Sequence, residues 1–196
     1  MFANRFTAFV DACTLASVLR RNLLLTLAEA EFFRVRWSGQ VMDETQGAIE
    51  KILAGKGHSD ASQRAATARA NMEEAFEEAM VSDYDALLCV CAGWPDPQDA
   101  HVVAAALKTQ AATIVTENIR HFPPDRLSGL NIEAKSADAF IADTIALDTG
   151  RAVAAIRSMR GRFRKPEMTP DKLLLEMEAA GLTETVDILR LYVQSL

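Results

Sequence analysis

Short apolar runs alternate with polar, helix-forming stretches along most of the chain. Phe6-Thr-Ala-Phe-Val10 is aromatic and β-branched and is cut by Asp11, a pattern that predicts a buried first strand. From Leu15 to about Glu31, leucines stand at 15, 19, 23 and 27, with Val18 and Leu24 beside them. That i, i+4 spacing predicts an amphipathic helix packed on a sheet. Phe32 to Trp37 fits either the end of this helix or a strand. Ser38 has the chemistry of an N-cap, and Val41, Ile49, Ile52 and Leu53 mark a second helix that stops at Gly55-Lys56-Gly57. Ser59 to Met80 is rich in Ala, Arg, Glu and Gln, which predicts an exposed helix. Ala86 to Cys91 is continuously apolar between Asp85 and Gly93, which predicts a second buried strand.

The stretch from Trp94 to Phe122 organises the rest. It opens with a loop carrying Asp96 and Asp99, runs through a helix of small apolar residues, enters the β-branched run Thr113-Ile-Val-Thr116, and closes at Glu117-Asn118. Pro123-Pro124 halts it, and Asn131 to Ala134 reads as a last strand. Beyond Ala137 the pattern is purely helical. Ser136 or Asp138 opens one helix, Thr149 to Gly161 forms another, Thr169-Pro170 starts a third that Gly181 stops, and Thr183 caps the last. Strand–helix alternation predicts an α/β fold with a mostly parallel central sheet flanked by helices. We divide the chain into an α/β unit, residues 1–140, and a C-terminal helical extension, residues 141–196.

With 196 residues, 49% hydrophobic and 24% charged, the composition is that of an ordinary globular protein. The net charge of −6 argues against indiscriminate nucleic-acid binding, though not against a local basic patch. Cys13, Cys89 and Cys91 have no zinc-knuckle spacing, and His58, His101 and His121 form no H-E-x-x-H pattern. The cysteines read as reduced core thiols. No apolar run is long enough for a leader or a membrane span, so the expectation is a cytoplasmic protein with no membrane partner.

Acidic or amide residues follow three apolar runs: Asp11 the first, Asp96 and Asp99 the second, Asn118 the third. If those runs are neighbouring parallel strands, the polar residues share the carboxyl edge of the sheet, where open α/β folds place their chemistry. Glu44 joins them if Val41 and Ile52 face the core. Asp43 competes with Glu44, and Glu117 with Asn118. Clustered carboxylates repel one another unless a cation neutralises them. An oxygen-only donor set suits Mg²⁺ or Mn²⁺ and metal-assisted phosphodiester hydrolysis, with no protein nucleophile. The same residues have structural readings. Asp96-Pro97-x-Asp99 is also ideal helix-start chemistry, and single acids after strands are usually turn residues.

Four segments, F-V-D-A-C (9–13), W-S-x-x-V-M-D-E (37–44), P-D-P-Q-D-A-H-V-V-A-A-A (95–106) and I-V-T-E-N-I-R-H-F (114–122), resemble those of PIN domains, the nuclease fold of VapC toxins in bacterial toxin–antitoxin pairs. The resemblance covers roughly residues 6–140. It implies that Asp11, Glu44 and Asp99 bind metal, with Asn118 at a position that is often Asp in the family. Asp96 would supply the missing acid, and Thr116 a supporting hydroxyl. It further implies an Mg²⁺- or Mn²⁺-dependent ribonuclease with an RNA substrate, a possible antitoxin and a possible homodimer. Arg120 and His121, just past the site, are candidate phosphate contacts. Arg151, Arg157, Arg160, Arg162, Arg164 and Lys165 form an acid-free basic run, read either as an RNA-backbone contact or as a solvated face. The alternatives to the toxin reading are a non-catalytic interaction module and a processing nuclease, RNA- or DNA-directed, that needs no antitoxin.

Overall fold

The computed structural model describes residues 6–163 and 167–196. β1 (Thr7–Val10) is the central strand of a five-stranded sheet. It pairs with β2 (Arg34–Ser38) on one side and β4 (Thr113–Val115) on the other; β3 (Met80–Val81) and β5 (Glu133–Lys135) form the edges. All four pairings are parallel, with Val10 opposite Val115. Chain order reverses between β1 and β4, so the crevice at their carboxyl ends is the topological switch point. The residues leaving the two strands there are Asp11 and Thr116.

The run Phe32 to Trp37 resolves as strand β2. Val35 and Trp37 point into the core while Arg36 reaches out to the carbonyl of Glu78 at 2.6 Å. The predicted strand at Ala86–Cys91 is not one. Asp85–Cys91 is a 3-10 segment lying against α5 (Ala100–Lys108), with Cys89 exposed and Leu88 and Val90 largely so. Both edges of β1 are occupied by β2 and β4, and apolarity alone does not secure a place in a sheet.

The helices follow their local signals. α1 (Ala12–Leu15) and α2 (Val18–Glu29) carry Leu15, Leu23, Leu24 and Leu27 into the core. Ser38 Oγ accepts from Val41 N at 3.2 Å at the start of α3 (Gly39–Gly55). Val41 and Ile49 face inward as expected, but Ile52 faces out. α4 (Ala61–Ala75) buries little beyond Ala61, Ala65 and Met72. α5, built of Val102 to Ala106, packs against β1, β2 and β4; its small side chains let the helix approach the sheet closely. The short α6 (Pro124–Ser128) leads into β5.

α7 (Ala137–Leu147), capped by Ser136, α8 (Thr149–Gly161), α9 (Pro170–Ala179) and α10 (Thr183–Arg190) make up the helical end of the chain. α7 runs unbroken through residues 140–141 and touches α2, β5 and α10. Ile141, Ile156, Met177 and Leu189 belong to the same hydrophobic cluster as Phe9 and Trp37. Gly181, at φ +79°, ends α9 in the left-handed conformation glycine favours. The expected Thr183 cap is replaced by a distant one. Asp138 of α7 accepts from Glu184 N and Thr185 N, both at 2.9 Å, and from the Thr183 hydroxyl at 3.4 Å. None of the described helices is long and apolar enough to cross a membrane.

Candidate active site

Asp11 follows β1 directly and is almost fully buried at 4% exposure. Its Oδ1 accepts from Ala12 N at 2.6 Å, capping α1. Its Oδ2 accepts from the Thr116 hydroxyl at 2.7 Å and from the Cys13 thiol at 3.1 Å. Thr116 in turn accepts from Asn118 N at 3.0 Å. The β1–β4 register therefore continues into a side-chain contact that fixes the Asp11 rotamer. Cys13 also accepts from Glu117 N at 3.3 Å, and burial together with the neighbouring Asp11 charge pushes its thiol up to about 11.

Asp96 and Asp99 come from the turn that starts α5 and not from a strand end. Asp96 Oδ1 accepts from Gln98 N at 2.9 Å, the capping role read from the sequence. Asp99 gives no such cap bond; its Oδ2 lies 2.6 Å from His121 Nδ1, and Asp96 Oδ2 lies 3.5 Å from the same nitrogen. Burial raises the Asp99 carboxyl above the ordinary range. The His121 hydrogen bond opposes this, and the negative charges of Asp11 and Asp96 add to it. His121 is held by its backbone: its N–H donates to the Asn118 carbonyl at 2.8 Å, and its carbonyl accepts from Trp94 Nε1 at 2.9 Å. The two ends of the Trp94–Phe122 stretch are thus tied together.

The members of each competing pair differ in their surroundings. Asp43 forms an ion pair with Arg69 of α4, which leaves Glu44 as the acid toward α5. Glu44 is exposed; its Oε1 meets His101 Nε2 at 3.3 Å and Gln40 Nε2 at 3.2 Å, and the His101 hydrogen bond holds its carboxyl below the usual range. Glu117 turns away from the crevice. It accepts from Ala137 N at 3.0 Å and pairs with Arg20 at 3.3 Å, so Asn118 is the residue left on the site loop.

Among the described residues, one group combines three metal-capable side chains, Asp96, Asp99 and His121, whose ligand atoms lie within 4.8 Å of one another. Asp11 borders it, close enough to raise Asp99. Glu44 is not part of this group; its carboxylate meets His101, two residues after Asp99 in α5. His101 is buried and its Nδ1 has no partner among the described residues. Two carboxylates and an imidazole are a fitting donor set for a first-row divalent cation. Sequence reasoning assigned His121 to substrate and gave His101 no role. The signal that could have drawn attention to both is their place within the segments 95–106 and 114–122.

The basic run of α8 lies elsewhere. Arg151 donates to the Ala30 carbonyl at 2.8 Å and covers the Phe32 ring, and Arg162 pairs with Glu29 at 3.0 Å. Their partners lie at the end of α2 and on the loop before β2, at the edge of the sheet opposite Asp11. Arg160 donates to the carbonyls of Met168 and Leu196 and stitches the helical end of the chain. Arg157 is exposed on α8, and Arg164 and Lys165 lie outside the described residues. Arg120, by contrast, is at the site, with its Nε donating to His121 Nε2 at 3.2 Å.

Residues 7–120 match the PIN domain family, and residues 137–191 match the VapC50 C-terminal domain family. The first match covers more than half of the chain, which therefore belongs to the PIN domain family. A 77-residue stretch is 39% identical to a Mycobacterium tuberculosis protein named "Putative ribonuclease VapC50", covering 39% of this chain and 46% of that relative. The matched stretch thus spans less than half the length of the relative. No solved structure matches.

Proposed function

We propose that this chain is a divalent-metal-dependent endoribonuclease acting as the toxin of a type II toxin–antitoxin pair, with Mg²⁺ or Mn²⁺ as cofactor and RNA as substrate. The observation that carries the reading is the convergence of Asp11, Asp96 and Asp99 at the β1–β4 switch point, with Asp99 pushed up by burial and by its acidic neighbours. The relative named as a ribonuclease supports it. Like charges held together at a sheet edge are an unfavourable arrangement that a cation relieves. Asp11, Asp99 and Asp96 would hold the ion, with Glu44 beside them. A bound divalent cation supplies Lewis-acid polarisation of the phosphodiester and acidifies water. Thr116 orients Asp11, and His101 fixes the Glu44 carboxylate. Arg120 stands where a phosphate oxygen would need a positive partner. In this reading the nuclease unit runs to about residue 140 and the helical extension buttresses it, in a cytoplasmic protein that binds an antitoxin and forms a homodimer.

The second reading, a non-catalytic module, is favoured by one observation: Asn118 brings no charge to the site loop. Cleavage of a mixed pool of structured RNAs in Mg²⁺ and then Mn²⁺ separates the two. The nuclease reading expects cleavage that EDTA abolishes and that Asp11→Asn reduces by about 100-fold or more. Cleavage unchanged in Asp11→Asn contradicts the assigned site. Absence of cleavage together with absence of Mn²⁺ binding contradicts the metal-nuclease reading itself.

A further inference from the structure

We infer that His121 Nδ1 is itself a metal ligand, a nitrogen donor added to the carboxylates of Asp96, Asp99 and Asp11, and that this imidazole makes the centre favour Mn²⁺ over Mg²⁺. The inference rests on the metal-centre reading above and goes beyond it by assigning a nitrogen ligand and a cation preference.

Three features support it. The first is geometry: His121 Nδ1 lies 2.6 Å from Asp99 Oδ2 and 3.5 Å from Asp96 Oδ2, and the three donor atoms fall within 4.8 Å. Opposite ligands of a first-row divalent ion are roughly 4 Å apart, so small side-chain rotations place one ion against all three. The second is anchoring. The Trp94 indole and the Asn118 carbonyl clamp the His121 backbone, and Phe122 beside it is fully buried, so the ring is presented from a fixed support. The third is the hydrogen-bond direction. Arg120 Nε–H donates to His121 Nε2 at 3.2 Å, so Nε2 carries the lone pair and the ring proton sits on Nδ1, shared with Asp99. A cation would take the place of that shared proton. Ligation through Nδ1 calls for the other tautomer: the proton leaves Nδ1, one is taken up at Nε2, and the exposed Arg120 side chain swings off that nitrogen.

The donor chemistry sets the preference. Both ions favour oxygen donors, but Mg²⁺ is the smaller and harder of the two and gives up its water reluctantly, so an imidazole nitrogen in the set costs Mn²⁺ less. Asn118 adds no charge at the neighbouring position, so the nitrogen of His121 supplies a strong donor that the site loop otherwise lacks. Arg120 becomes a residue that competes with the ion, both by its charge and by its hold on Nε2.

The test is pulsed electron paramagnetic resonance of Mn²⁺ added to the full chain, read for nitrogen coupling, alongside Mn²⁺ and Mg²⁺ affinities by calorimetry. The wild type is expected to show coupling to one imidazole nitrogen. His121→Gln is expected to lose the coupling and to weaken Mn²⁺ about tenfold or more, with a much smaller change for Mg²⁺. Arg120→Gln is expected to tighten Mn²⁺. Unchanged metal-free melting of both variants shows that the fold is intact. Mn²⁺ bound without nitrogen coupling, or with coupling that persists in His121→Gln, overturns this inference and leaves the carboxylate centre standing. No Mn²⁺ binding by the wild type overturns both.

Discussion

Two aspartates, Asp138 buried and Asp99 half-buried, sit in opposite settings. Asp138, in the first turn of α7, has each carboxylate oxygen taken by a backbone N–H of α10 at 2.9 Å. Its charge faces the positive end of that helix, where an acid is stabilising. Among the described residues the Asp99 carboxylate has one partner, the His121 imidazole, and it faces Asp11 and Asp96. Burial of an acid is therefore not the mark of a site. What separates the two is whether the lone pairs are filled by amides or left against other negative charges. Asp11 lies between these extremes: one oxygen caps α1, and the other joins the Thr116–Cys13 network at the crevice.

The largest stability effect should come from the satisfied acid. Asp138→Ala strips the first turn of α10 of its acceptor, and the unfolding free energy should fall by about 1–3 kcal/mol. In a chain of this length each kcal/mol lowers the melting temperature by roughly 2–4 °C. RNA cleavage below that temperature should be retained. If Asp138→Ala instead removes cleavage while folding normally, the division between the two acids is wrong.

The unsatisfied acid should reveal itself through pH. The folded carboxyl of Asp99 titrates above its unfolded value, so between the two values the folded protein binds more protons than the unfolded chain. Metal-free stability must then fall as pH rises through that window. Asp99→Asn removes the dependence, so its melting temperature should gain on the wild type as pH rises from about 4 to 8. A difference that stays constant with pH would contradict the setting assigned to Asp99. Glu44, held low by His101, works in the opposite sense and is lost as a stabilising group only as pH falls through its lowered folded value.

The smallest effect concerns Cys13. An ordinary thiol titrates near 8.5, whereas burial and Asp11 push this one up to about 11. It stays neutral at neutral pH and should resist iodoacetamide while exposed Cys89 is alkylated. Its rate should rise only as the pH nears 11. Alkylation of Cys13 as fast as Cys89 at neutral pH, followed by mass spectrometry, would refute the network around Asp11.

Much of this was legible in the residues. β1, α2, α5 and β4 followed from periodicity because their apolar positions are buried by local neighbours, and Asp11 and Asp99 followed from their places in the motifs. Ala86–Cys91 misled because a continuous apolar run does not say whether a sheet has room for it. The capping of α10 by Asp138 joins residues far apart in sequence, and no local pattern announces such a bond. The α8 arginines showed charge but not location, and the topology puts Arg151 and Arg162 at the far edge. His121 was visible as a polar residue near the site; only the fold shows it against Asp99 and Asp96.

On the proposed function, the carboxylate edge, and not any other acidic cluster, binds a divalent cation. Calorimetric titration of the metal-free protein with Mn²⁺ tests it most directly, with wild type, Asp138→Ala, and the double variant Asp11→Asn/Asp99→Asn compared side by side. The account predicts binding by the first two and none by the third. Equal binding by all three, or no binding by the wild type, would contradict it.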